Sequence, residues 1–210
     1  MSLFVGSSGW SYPSWKPGFY PPGSRNEDFL ALYAERLPVV ELNSTGYRLP
    51  SAEQFRRWAE QVPDGFRFAV KAPTLALRRP DVVAERLQEL GDRLGCVRVV
   101  LDGTRDNDAL ERLAEAFDNL RLALDVRDES WVDAVAATHA VRVGDCDGSH
   151  GWCYVRFRDP PYDAAAIAEI AGRVRALVDA GIDVFAFFRH EDEPTAPRSA
   201  LELLDLVRAG

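Results

Sequence analysis

Lysine is almost missing from this 210-residue sequence: Lys16 and Lys71 are the only two, against 23 arginines. Arginine and lysine serve equally on most solvated surfaces, so the imbalance itself assigns no function, but it makes Lys71 conspicuous. Cysteine is scarce as well. Cys96, Cys146 and Cys153 are an odd, small set for this length, which excludes a disulfide framework. No apolar run approaches the ~20 residues of a membrane span. The N-terminal MSLFVGSSGW lacks a basic stretch followed by an apolar core, so no secretory leader is read and a cytoplasmic location is expected. Neither a G-x-G-x-x-G after the first strand nor a Walker sequence nor a G-x-S-x-G elbow is present, which argues against dinucleotide, P-loop and hydrolase-elbow chemistry. Net charge −8 with a pI near 5.0 argues against nonspecific nucleic-acid binding and against an anionic membrane as partner. A local basic site remains compatible with it. Nothing in the sequence speaks to the oligomeric state.

What is present is an alternation. Hydrophobic residues make up 47% of the chain, enough for one sizeable core, and no linker, repeat or low-complexity tract divides residues 1–210. Strand-like segments run from Leu3 to Trp10, VVELNST, FRFAVKAP, CVRVVLD, RLALDVR, AVRVGDC, GWCYVRFR and DVFAFFRH. Helical periodicity fills the intervals: Asn26 to Leu37, a helix capped by Ser51 and running to Val62, Pro80 to Leu94, Asp106 to Phe117, Trp131 to Thr138, Ala164 to Ala180 stopped by Gly181, and Ala196 to Arg208. Strands alternating with helices imply a parallel sheet, and eight of them in one domain imply an α/β fold of the (β/α)8 TIM-barrel type. Gly6 and Gly9 are read as tight packing at a barrel strand.

Strand side chains alternate between faces, and in a barrel one face meets the helices while the other fills the lumen. In VVELNST the apolar Val40 and Leu42 belong to the helices, which sends Glu41, Asn43 and Thr45 inward. The same parity sends Lys71 inward from the third strand, Asp125 and Arg127 from the fifth, and Tyr154, Arg156 and Arg158 from the seventh. Arg189 and His190 end the eighth strand; Trp10, Tyr12 and Trp15 follow the first. Strands two and three are neighbours, so Glu41 is expected to pair with Lys71, because an ionised carboxylate inside a barrel needs a partner.

These residues also carry a resemblance. GSSGWSYPSWKPGFYP, VVELNSTGYRLPSAEQFRRWAEQVPDGFRFAVKAP, LGDRLGCVRVVL, DVRDESW and YVRFR are similar to the patterns of the domain of unknown function 72, or YecE-like, family. The resemblance covers nearly the whole chain and implies a (β/α)8-type barrel with no agreed activity; separately, no cofactor is expected. It marks Trp10, Tyr12, Glu41, Asn43, Tyr47, Lys71, Arg127, Trp131 and Arg156 among others. It also brings departures: Gly46 stands where the family has Phe, Asp125 where it has Glu, Arg158 where it has His, and RHEDEP replaces its asparagines after the last strand.

The residues suggest an enzyme, or a degenerate one, acting on a small anion bearing phosphate or carboxylate. Glu41, Lys71 and Asp125 are the catalytic candidates. Trp10, Tyr12, Asn43, Tyr47, Arg127, Trp131, Arg156, Arg189 and His190 are the binding candidates. The plainer alternative is that the charges only neutralise one another, in a barrel that binds a ligand or partner without chemistry. Two other readings are a glycosidase pair of Glu41 and Asp125 and a Schiff base on Lys71, the latter disfavoured because Glu41 beside it should keep the amine charged. Asp145, Cys146, Asp147, His150 and Cys153 match no standard zinc spacing, so no metal is assigned and an Asp/Gly turn explains them.

Overall fold

Strands form where β-branched and aromatic side chains concentrate, and helices where apolar residues recur three and four apart. The computed structural model describes residues 2–209. Its strands are β1 (Leu3–Ser7), β2 (Val39–Leu42), β3 (Arg67–Lys71), β4 (Leu94–Leu101), β5 (Leu122–Val126), β6 (Val141–Arg142), β7 (Trp152–Phe157) and β8 (Asp183–Phe188). Its helices are α1 (Phe29–Ala34), α2 (Ala52–Glu60), α3 (Pro80–Leu87), α4 (Asn107–Ala116), α5 (Val132–Ala136), α6 (Ala164–Asp179) and α7 (Thr195–Arg208). Ser51 caps α2 as read, its Oγ accepting the Gln54 N–H at 3.2 Å. Gly181, with φ +85°, takes the left-handed position just past α6.

All strand pairs are parallel. β1, β8 and β7 form one sheet and β2 to β6 the other. The sheets meet at two seams. At one, Ser8 bridges Glu41, and a Cβ on Gly6 would lie 2.0 Å from the Val39 carbonyl oxygen, so only glycine allows that approach. At the other, the Gly144 N–H donates to the Tyr154 carbonyl at 2.8 Å. The result is the TIM-type barrel read from the sequence, with its ladder interrupted at both seams.

Parity sorts the side chains. Val39, Ala69, Cys96, Ala123, Val141, Trp152, Tyr154, Phe185 and Phe187 form a buried lumen cluster, separate from the larger core between strands and helices. The register shifts between β3 and β4: Phe68 faces Leu94, but Ala69 faces Cys96. The extra residue is Gly95, where a Cβ would press to 2.9 Å on Phe185. Beyond this bulge Lys71 and Arg98 stand opposite each other on the lumen side.

Several elements are shorter than read, for local reasons. β2 ends at Leu42, and Asn43 adopts helical angles (φ −74°, ψ −33°) before a 3-10 turn at Ser44–Gly46. Alternation therefore stops at Leu42, and strand parity no longer places Asn43 and Thr45. The buried Thr45 hydroxyl lies 2.5 Å from the Leu42 carbonyl and 2.7 Å from that of Lys71. β6 keeps two residues because Gly144, at φ +98°, turns the chain away. Among the described residues no helix is long and apolar enough to cross a membrane.

Candidate functional site

Glu41 sits in the lumen at the carboxyl end of β2, closed to solvent. Burying a carboxylate is costly unless it is paired and hydrogen-bonded. Three groups hold it. Tyr154 donates its hydroxyl to Oε1 at 2.6 Å, Arg98 Nε lies 2.7 Å from Oε1, and Arg156 NH2 lies 2.9 Å from Oε2. The two guanidinium contacts are ion pairs whose angles fall short of directed hydrogen bonds. Asp125, 3% exposed, is held by Arg98 NH1, by Arg127 at 3.2 Å and by Arg158 at 2.7 Å. Arg98 thus joins the two carboxylates. The small side chains of Ala69 and Ala123, beneath it in the lumen, leave the width this lattice needs.

The expected Glu41–Lys71 pair is not formed. Lys71 makes no salt bridge within 4.0 Å of any carboxylate among the described residues. Arg98, longer and one strand further on, reaches across Ala69 and takes its place. The Lys71 ammonium lies instead 4.9 Å from the ring centroid of Tyr47, a side chain 83% exposed. Its methylenes fill the notch left by Gly46, where a Cβ would come within 2.6 Å of Cδ and Cε. The two carboxylates proposed as a glycosidase pair both contact the Arg98 guanidinium.

Burial first and the Arg98 guanidinium second push the Lys71 amine below its ordinary range. Burial alone would lower Arg98, but Glu41, Tyr154 and Asp125 more than offset it and hold that guanidinium above its usual value. Burial, then the Glu41 charge, pushes the Tyr154 phenol well up and the Tyr12 phenol up to about 12. His190 is lowered by burial first and then by Arg156. Its backbone N–H donates to Ser8 Oγ at 3.0 Å, its Nδ1 lies 3.2 Å from the same oxygen, and Tyr12 stacks on its ring at 4.8 Å.

Beside the lattice opens a groove of about 980 Å³, lined by Trp10, Tyr12, Asn43, Arg48, Trp58 and His190 among others. Trp10 meets Trp58 edge-on at 5.4 Å. Of the expected aromatic platform, Trp10 and Tyr12 line this groove, whereas Trp15 is fully buried and donates its indole N–H to the Glu191 carbonyl at 3.1 Å. Gly9, at φ +101°, turns the chain there; a Cβ would strike the Tyr12 hydroxyl at 2.6 Å.

Trp131, in the loop after β5, does not line the groove. It is buried and donates to the Gly103 carbonyl at 2.5 Å. Arg189 is exposed and outside the groove lining. Asp145 pairs with Arg142 at 2.7 Å, Asp147 accepts from Ser149, and no three-residue metal-ligand cluster exists among the described residues.

Sequence reading missed Arg98 and did not assign Tyr154, which parity had already turned inward. The signal for Arg98 was the same alternation applied to CVRVVL: Val97 and Val99 pack on the helices, so Arg98 must point inward. Trp58, Arg48 and Arg57 were also missed. They come from α2 and the loop before it, which strand parity does not reach.

A family model described as "Protein of unknown function DUF72" matches residues 4–210. The UPF0759 protein YecE of Escherichia coli K12 is 34% identical over 128 residues, 56% of this chain and 44% of that protein. The UPF0759 protein YunF of Bacillus subtilis strain 168 is 30% identical over 70 residues, 33% of this chain and 24% of that one. The matches therefore span less than half the length of these curated relatives. Among solved structures, a DUF72 family protein from Thermotoga maritima superposes with a TM-score of 0.81 at 20% identity, covering 99% of this chain and 100% of the other. One from Enterococcus faecalis V583 gives 0.77 at 16% identity, covering 99% and 98%. At those identities the likeness is one of fold.

Proposed function

Taking as premise that this chain belongs to the DUF72 family of proteins of unknown function, we propose that its barrel mouth binds a small phosphate- or carboxylate-bearing anion. One observation carries this reading: five cations, Lys71, Arg98, Arg127, Arg156 and Arg158, surround only two carboxylates. Among the described residues Lys71 has no carboxylate partner and Arg98 NH2 is buried without a hydrogen bond. A phosphate or carboxylate supplies the charge and acceptors such a cluster needs. The groove beside it, with Trp10 and Tyr12, takes the remainder of the molecule.

In this reading Glu41 and Asp125 are counterions that hold the guanidiniums in place, not proton-transfer groups. Every oxygen of both carboxylates already faces a cation or a phenol. The test is thermal unfolding with phosphate, sulfate, acetate and citrate, against chloride at matched ionic strength. A specific site stabilises saturably, by about 2.7 kcal/mol at a hundredfold excess over Kd. The reading fails if every anion acts as chloride does.

A further inference from the structure

We propose that Lys71 is a nucleophilic amine that forms an imine with a carbonyl group carried by the anionic ligand, an inference that rests on the binding reading above. Lys71 ends β3 on the lumen side, at the end of the barrel where strand ends present side chains to ligands. Its amine forms no ion pair with a carboxylate among the described residues, a contact that would further favour the protonated form. Its ladder neighbour is Arg98, a permanent cation that repels a second one. Gly46 opens the space for the methylenes and so fixes where the nitrogen emerges. The half-buried side chain keeps its tip reachable beside the exposed Tyr47. Burial, with the like charges of Arg98 and Arg156, outweighs the opposing pull of Glu41 and Asp125 and enlarges the free-base fraction, the form that attacks.

The step balances without an oxidant or a metal. The amine nitrogen bonds to the carbonyl carbon, and the C–O π bond opens to a carbinolamine. Both N–H protons then leave with that oxygen as water, and a C=N bond remains. Arg156 and Arg158 supply the countercharge for a carboxylate or phosphate on the same molecule. Glu41 and Asp125 take no part in the covalent change.

The scarcity of lysine makes the test clean. Lys16 is the internal control; its ammonium donates to the Ser24 carbonyl at 3.1 Å, away from the lattice. The whole protein is incubated with glyoxylate, or with uncharged acetaldehyde, in the presence of cyanoborohydride. Peptide mass spectrometry then gives the Lys71-to-Lys16 labelling ratio. The expected ratio with glyoxylate is on the order of tenfold, lower with acetaldehyde, and phosphate suppresses it. Labelling of Lys71 no faster than Lys16, with phosphate still stabilising the fold, overturns the imine and leaves the binding reading intact. Preferential labelling that phosphate does not suppress, with no phosphate stabilisation, supports the amine and overturns the anion site. Lys71→Arg removes the amine and is expected to lose the adduct; an unchanged adduct yield in that variant also overturns the proposal.

Discussion

Arg98 Nε lies 2.7 Å from Glu41 Oε1 with both side chains closed to solvent, two strands apart around the barrel. The pair is the joint between the two carboxylates of the lumen, because the same guanidinium reaches Asp125. Removing one member of a buried pair leaves uncompensated charge and costs about 3–5 kcal/mol. Arg98→Met is therefore expected to lower the free energy of unfolding by that amount in urea titrations. A loss under about 1 kcal/mol, the range of a surface pair, would show that Arg156 and Tyr154 satisfy Glu41 unaided.

Among the described residues, Tyr154 makes the one directed hydrogen bond that the Glu41 carboxylate receives, at 2.6 Å. A hydrogen bond to a charged group is worth about 1.5–3 kcal/mol. Tyr154→Phe keeps the ring against Phe187 and is expected to cost about that much by urea unfolding. An unchanged midpoint would mean that the two guanidiniums carry Glu41 alone.

Gly46 and Lys71 share one volume. Gly46→Ala pushes on the far end of a flexible side chain, so the stability change is expected within about 0.5 kcal/mol, as at ordinary surface sites. The displaced ammonium is expected to weaken phosphate binding. Titration calorimetry on the variant checks both halves; equal phosphate affinity would detach Gly46 from the site.

The departure at Gly46 was legible in the sequence, but its consequence was not, since it depends on where a neighbouring strand delivers a side chain. The barrel itself was legible, because eight apolar segments alternate with helical ones, and so was the inward face of Glu41, Asp125 and Arg156. Partner choice was not. Parity says that Glu41 and Lys71 share the lumen, but the bulge at Gly95 and the small Ala69 decide that Arg98 reaches the carboxylate first. The groove was half legible. Trp10 and Tyr12 announce themselves after β1, while Trp58 and Arg57 look like ordinary residues of an amphipathic helix.

His190 sets a pH dependence. Arg156 and Arg189 repel its protonated form, Glu41 favours it, and Tyr12 and Ser8 pack on the ring, with burial the largest influence. Its native pKa lies below its ordinary value, so on acidification the unfolded chain takes up the proton first. Its contribution is complete above about pH 6.5 and is lost as pH falls from there toward the lower native value. Urea midpoints at about pH 7.5 and about pH 5.5 should therefore converge in His190→Gln relative to the parent protein. Equal pH sensitivity in both would assign the effect elsewhere.

Lys71→Met removes a cation that has no carboxylate partner among the described residues while keeping the methylenes in the Gly46 notch. At neutral pH and low salt it is expected to leave the fold as stable as the parent or more so, by thermal unfolding, and to reduce the response to phosphate. A clear loss of stability would show that the ammonium is satisfied in the free protein.

The most direct measurement is the position of a bound anion. A crystal soaked in selenate, measured at the selenium edge, is predicted to show one ordered anion at the barrel mouth, in contact with Lys71 Nζ and the Arg156 guanidinium. Ordered selenate found only on the outer surface, with the mouth empty at a concentration that saturates the thermal response, would contradict the account.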